Sequence, residues 1–388
     1  MKKNVLIIFI SFFLCSCIIQ NTVFAIDSDA TNTILESQKD SLGISDFINE
    51  AEVYTNDSFY NISLSNVLNE ALTGKIEKKG IISSINRMLG TEIRDCLNSF
   101  ATILVIVIIH SVFKSICENL GNNSTGKIAY YIQYILILTI IINNFSEIVV
   151  DTKSAIDNLV GMMNSLVPLF ITLMLTTGSI VSANIVQPIL LFAIAFVGNF
   201  ISTFIIPLLL IGTSLSVVSN LSDEIKIDKL SKYFKSSIIW ILGILLTIFV
   251  CLLSIEGTLS SGVDGLTAKT AKAAVSSFIP VVGKVLGDAV DTVIGCASIL
   301  KNAVGVLGII IIIGIVAKPI IKLSLLCIIY YLASALCEII ADKKIVKLLE
   351  QIGDTFKILL AILFSVSLLF IVGITLVIKI TNSGLMYR

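Results

Sequence analysis

Between Asn158 and Ser222 the chain carries no Asp, Glu, Lys or Arg. A water-soluble domain keeps charge on its surface, so a run this long without any is hard to place outside lipid. A helix needs about 20 predominantly apolar residues to cross the hydrocarbon, which gives this run room for three crossings and their turns. Its three prolines, Pro168, Pro188 and Pro207, are tolerated in such helices where neighbours re-satisfy the freed backbone groups. The rest of the chain agrees: 14% of residues are charged, against roughly 25% in soluble domains, and the mean hydropathy is +0.98. The fold class expected is an all-α, polytopic transmembrane helix bundle.

Further apolar segments at Cys96 to Phe113, Ile128 to Ser146, Ser236 to Ile255 and Ile358 to Ile378 read as single spans. The segment Asn302 to Ile340 is long enough for two, with a break expected at Lys318-Pro319. Residues 1–25 read as a signal peptide, with a basic start, an apolar core and small residues before Ala25. A lipoprotein site at Cys17 and an uncleaved anchor are the alternatives, and all three place the next residues outside the cytoplasm. Residues 26–95 form a polar extracytoplasmic region with apolar residues at helical spacing. Residues 96–388 then make the membrane domain. Short lysine-rich loops at Asp223 to Lys235 and Ala341 to Lys357 favour the cytoplasmic side. The resulting count is about eight to ten spans with the C-terminus outside.

Several function classes find no support. Formal net charge is zero, whereas nucleic-acid-binding surfaces are basic. The eight cysteines include no C-x-x-C pair and mostly sit in apolar runs, so they read as small buried hydrophobes. The loop from Gly121 to Ile128 nearly matches a phosphate-binding loop. It lacks the final Ser/Thr and the preceding strand, and reads as a polar connection between helices. His110 is the one histidine, too few for a multi-histidine metal site. No cofactor and no catalytic residue are expected, and the chain does not read as an enzyme.

Residues 276–305, SSFIPVVGKVLGDAVDTVIGCASILKNAVG, differ from the other membrane segments. Lys284, Asp288, Asp291, Gly295, Ser298, Asn302 and Gly305 step by four and three alternately, which places them along one helix face. Beside them Gly283, Gly287 and Gly295 recur on a second line, and Gly283 with Gly287 forms a G-x-x-x-G suited to close helix packing in lipid. Three central charges would cost on the order of 8–10 kcal/mol, and the apolar residues between Ile279 and Leu300 offset on the order of 3–6. Alone in lipid this helix should not insert. It therefore lies at the membrane surface, packs inside the bundle, or lines an aqueous path.

This same stretch resembles the stage III sporulation protein AE family of endospore-forming bacteria, most specifically from about Thr267 to Tyr330. The resemblance implies a membrane subunit of a channel or secretion-like complex linking mother cell and forespore. It implies a place in the mother-cell membrane around the forespore and a role in late forespore gene expression. Its implied partners are other membrane proteins of the same sporulation operon and a forespore-made protein. The resemblance carries no residue roles, so the polar stripe and the glycines remain candidates from spacing alone. A stand-alone transporter of a small solute or ion is the alternative.

Overall fold

The computed structural model describes residues 35–39, 41–55, 63–74, 78–119, 123–221, 227–278 and 282–386. The signal-peptide reading lies outside them. Among the described residues the chain is helical and contains no strand. Two short helices, α1 (Ile44–Thr55) and α2 (Leu64–Thr73), precede the long ones. Then come α3 (Lys78–Asn119), α4 (Asn123–Thr176) and α5 (Ile180–Phe200). One wide turn, Ile201–Ile205, joins α5 to α6 (Ile206–Leu221). Pro207 has no N–H to offer the Thr203 carbonyl, and the wide turn sits where that bond is missing. Last come α7 (Asp228–Phe278), α8 (Val282–Cys337) and α9 (Lys343–Met386).

Among the described residues six helical stretches are long and apolar enough to cross a membrane, against the eight to ten expected of the whole chain. The difference comes from where the chain turns. Ile128 to Ser146 and the start of the uncharged run belong to one helix, α4, which continues through Pro168. Asn302 to Ile340 is not broken at Pro319: α8 passes through that residue to Cys337. Hydropathy says where a helix tolerates lipid, not where the chain turns, and in a membrane bundle a helix can continue through a proline when its neighbours re-satisfy the freed backbone groups.

The central helix is α9. Among the described residues none of the large apolar side chains exposed on the surface belongs to it, while Phe356, Leu359, Leu363 and Phe370 are fully buried. It packs most extensively on α8 and α7, with α4, α5 and α6 completing its surroundings. Contacts along α9 serve as a ruler for height. At one end, Lys235 of α7 donates to the Gln351 carbonyl (3.0 Å) and Thr213 of α6 meets Thr355 (3.3 Å). Slightly higher, Asn144 of α4 donates to the Tyr330 hydroxyl of α8 (3.2 Å), and the Tyr330 ring packs on Phe356 with centroids 5.2 Å apart. Near the other end, Phe249 of α7 packs over Gly373, and Ile374 lies against Gly308 of α8.

Both lysine-rich loops therefore come to the same end of the bundle, where Lys347 pairs with Asp228 at 3.1 Å. The opposite end carries α1 and α2, whose apolar faces (Phe47, Ile48, Leu64, Leu68) join the main core. They pack on α4 and on the outer part of α8, with Tyr54 against Gly161 and Gln38 donating to the Val293 carbonyl (3.3 Å).

Candidate functional site

The polar stripe begins on the first turns of α8, and its position follows from the ruler. Phe249 of α7 and Gly308 of α8 share a level on α9, and the described apolar stretch of α7 runs to Ser254. Above that level α7 continues to Phe278, and α8 starts at Val282. At 1.5 Å per residue this paired extension of α7 reaches about 36 Å beyond Ser254. Lys284, Asp288 and Asp291 stand on the first turns of α8, ahead of its described apolar stretch, Thr292–Cys337. The backbone places these three charges toward the end of the bundle away from the lysine-rich loops.

The side chains of Lys284, Asp288 and Asp291, and the surroundings of Gly283 and Gly287, lie outside the described residues. Further along, Ser298 and Asn302 are half-buried, Gly295 is exposed and Gly305 is buried. The stripe thus turns from an open face into the packed interior. A four-three alternation averages 3.5 residues per turn, and against 3.6 it drifts about 20° per heptad, enough over three heptads to rotate Gly305 away from the face of Lys284.

The glycine assignments shift accordingly. Among the described residues nothing lies within 4 Å of where a Cβ would stand at Gly295, so it makes no close helix contact with them. Close approach occurs at Gly305, where a Cβ would collide with Ile378, and at Gly308, where it would stand 3.0 Å from Leu166 and 3.3 Å from Ile374. One turn before Gly305 lies Lys301, fully buried at 0% exposure. An ionisable group that deep in a membrane bundle is a functional candidate by default.

Two polar clusters were not anticipated from the sequence. At the lysine-loop end, the Gln351 side chain accepts from Asn220 (2.5 Å) and donates to Asp228 (2.6 Å). Ser231 meets Ser216 at 2.5 Å and donates to the Gly212 carbonyl at 2.7 Å. Midway along the bundle, Lys322 of α8 pairs with Glu147 (2.5 Å) and Asp151 (3.0 Å) of α4. Buried Glu92 of α3 lies within electrostatic reach of Lys322 and Lys318. Glu147 directly follows the expected span Ile128 to Ser146, and Lys318 stands at the expected break. The available signal was two four-residue pairs of opposite sign, Glu147 with Asp151 and Lys318 with Lys322, each inside an apolar run.

The phosphate-loop likeness is excluded by geometry. Asn123 begins α4, so Gly126 and Lys127 sit inside a helix, and the element before is the helix α3. The described cysteines are free thiols, with Cys96, Cys296 and Cys337 buried, Cys327 half-buried and Cys251 exposed.

Comparison with known proteins decides the family. A family model described as Stage III sporulation protein AE (spore_III_AE) matches residues 62–381, which takes in α2 and all six apolar stretches. The chain belongs to the stage III sporulation protein AE family. It is also similar to the stage III sporulation protein AE of Bacillus subtilis (strain 168), 30% identical over 354 residues, covering 91% of this chain and 82% of the relative. No solved structure matches it. This member of the family is a multi-pass membrane protein, and α1 stands ahead of the matched region.

Proposed function

We propose that this chain is a non-enzymatic subunit of the channel or secretion-like complex that links mother cell and forespore, acting without a cofactor. Its place is the mother-cell membrane around the forespore. Its partners there are other membrane proteins of the same operon and a forespore-made protein. The observation that carries the reading is the family match across residues 62–381. The extension of α7 and α8 supports it, because this arm and the docked α1 and α2 stand at the end opposite the lysine-rich loops. That end is where a protein across an intermembrane gap would be met.

The test is the double variant Asp288→Ala with Asp291→Ala. The variant protein is expected to accumulate in the membrane while late forespore gene expression stops. Normal spore yield in this strain would remove the stripe from the function. The second reading, a stand-alone transporter, is favoured by one observation, the Lys322 cluster set among apolar helices. Solute uptake by the purified chain in liposomes, with no partner present, would select it instead.

A further inference from the structure

The two flanks of the bundle differ at the same height. Lys322 is eight residues from Tyr330, so it sits beside roughly residue 364 of α9 by helical rise. On α7 that level falls near Trp240, midway between Lys235 and Phe249, in the middle of the apolar span Asp228–Ser254. The α5–α7 flank is apolar there, with Trp240 71% exposed and Phe196, Phe204 and Ile244 also on the surface. The α3–α4 flank at this height exposes Glu147 and Lys153 on α4 and Arg94 and Asp95 on α3, interspersed with exposed Val150, Ile93 and Leu97. Charges at mid-depth cost about 2.5–3.5 kcal/mol each against lipid. This flank does not face lipid where the other does.

Its own apolar band is displaced. Exposed Val105 to Ile116 of α3 and Ile128 to Ile142 of α4 lie toward the lysine-loop end. The Tyr134 hydroxyl donates to the Val217 carbonyl near the end of α6, so the residues of α4 before Tyr134 pass beyond that end. A flat hydrocarbon layer of about 30 Å, perpendicular to the bundle and centred on α7, leaves much of this band outside. The flank thus carries charge at lipid depth and apolar surface at water depth. Another protein surface with both chemistries would cover it.

We infer that the covering surface is a second copy of this chain, with α3 of one copy laid against α4 of the other. Charge complementarity selects this partner. The outer surface of α3 carries Arg87 and Arg94 with Asp95, a net charge of +1 (two cations, one anion), and that of α4 carries Glu147, Asp151 and Asp157 with Lys153, a net charge of −2 (three anions, one cation). A symmetry axis along the membrane normal preserves height. Arg94 is then level with Glu147 and Asp151, because its neighbour Glu92 is within reach of Lys322. Arg87, about 10 Å higher by helical rise, is level with Asp157, which stands about 9 Å above Asp151. Below these pairs, the displaced apolar bands meet each other. The interface does not depend on the channel reading and applies equally to a transporter.

The test uses two differently tagged full-length copies in one cell, one carrying Ile109→Cys on α3 and the other Ile132→Cys on α4. Oxidation of the membranes is expected to give a species bearing both tags, well above the background of the native cysteines. A control pair with Trp240→Cys in one copy and Ile248→Cys in the other is expected to give none. Arg87→Asp in both copies should lower the cross-linked fraction several-fold, and adding Asp157→Arg should restore it. Three results would overturn the interface. One is equal cross-linking on the α7 flank. Another is no cross-link while a membrane-impermeant maleimide labels Ile109→Cys freely, which makes the flank water-lined. The third is no cross-link with labelling by a lipid-soluble carbene reagent alone, which makes it a lipid face of a tilted bundle.

Discussion

Two lysines in this bundle sit amid apolar helices and have opposite surroundings. Lys235 is almost fully buried, and the groups around it are spent on one another: Gln351 binds Asn220 and Asp228, Asp228 binds Lys347, and Ser216 binds Ser231. Lys322 is held by two carboxylates, yet one of them, Glu147, is 64% exposed, and further charges surround it on an open flank. The first cluster is closed within the chain and ties α6, α7 and α9 together at the lysine-loop end. The second has valence left over and sits on the surface of a membrane bundle. Closed polar groups fix a fold, whereas open ones at lipid depth call for something outside the chain.

The sharpest way to break this contrast is to reverse the buried charge. Lys235→Glu would set a carboxylate against the Gln351 carbonyl at a site that is 7% exposed. A buried charge without a partner costs on the order of 3–5 kcal/mol. The variant is expected to accumulate poorly in membranes and to unfold at lower temperature in detergent. Wild-type accumulation and an unchanged unfolding temperature would mean that the cluster is not closed in the membrane.

The next test is lysine for lysine on the open side. Lys322→Ala removes the cation shared by Glu147 and Asp151 and leaves buried Glu92 with less compensation. Because one partner is mostly exposed, the expected loss is about 1–2 kcal/mol, and the protein should still reach the membrane. A double-mutant cycle with Glu147→Ala should give a coupling below about 1 kcal/mol. A coupling several times larger would place Glu147 in a dry environment and make the two clusters alike.

What the sequence disclosed follows the same division. The helical class, the uncharged run and the convergence of both lysine-rich loops were legible, because hydropathy and charge act locally along the chain. The Lys322 pairs were not, since 175 residues separate Lys322 from Glu147 and each alone resembles a span boundary. Pro319 was read as a break because proline removes a helix bond, yet packing on α9 and α4 carries α8 through it. The stripe was legible as a pattern but not as a place. Periodicity assigned Gly295 to packing, and only the drift of a 3.5-residue repeat on a real helix brings Gly305 to the contact.

That last pair of glycines gives the smallest and cleanest test, because α8 itself is closed at one and open at the other. Replacing either by alanine favours the helix by up to about 1 kcal/mol through lost flexibility of the unfolded chain. At Gly295 nothing stands within 4 Å of the new methyl, so Gly295→Ala should stabilise the protein slightly. At Gly305 the methyl collides with Ile378 and comes within 3.4 Å of Phe170, and overpacking costs about 1–3 kcal/mol. The helix term is shared, so the gap between the two unfolding temperatures reports the collision alone. Equal shifts would show that Ile378 swings aside freely and that the α8–α9 contact is looser than its burial suggests. A destabilising Gly295→Ala would instead reveal a neighbour at Gly295 other than the described residues of this chain, which place nothing there.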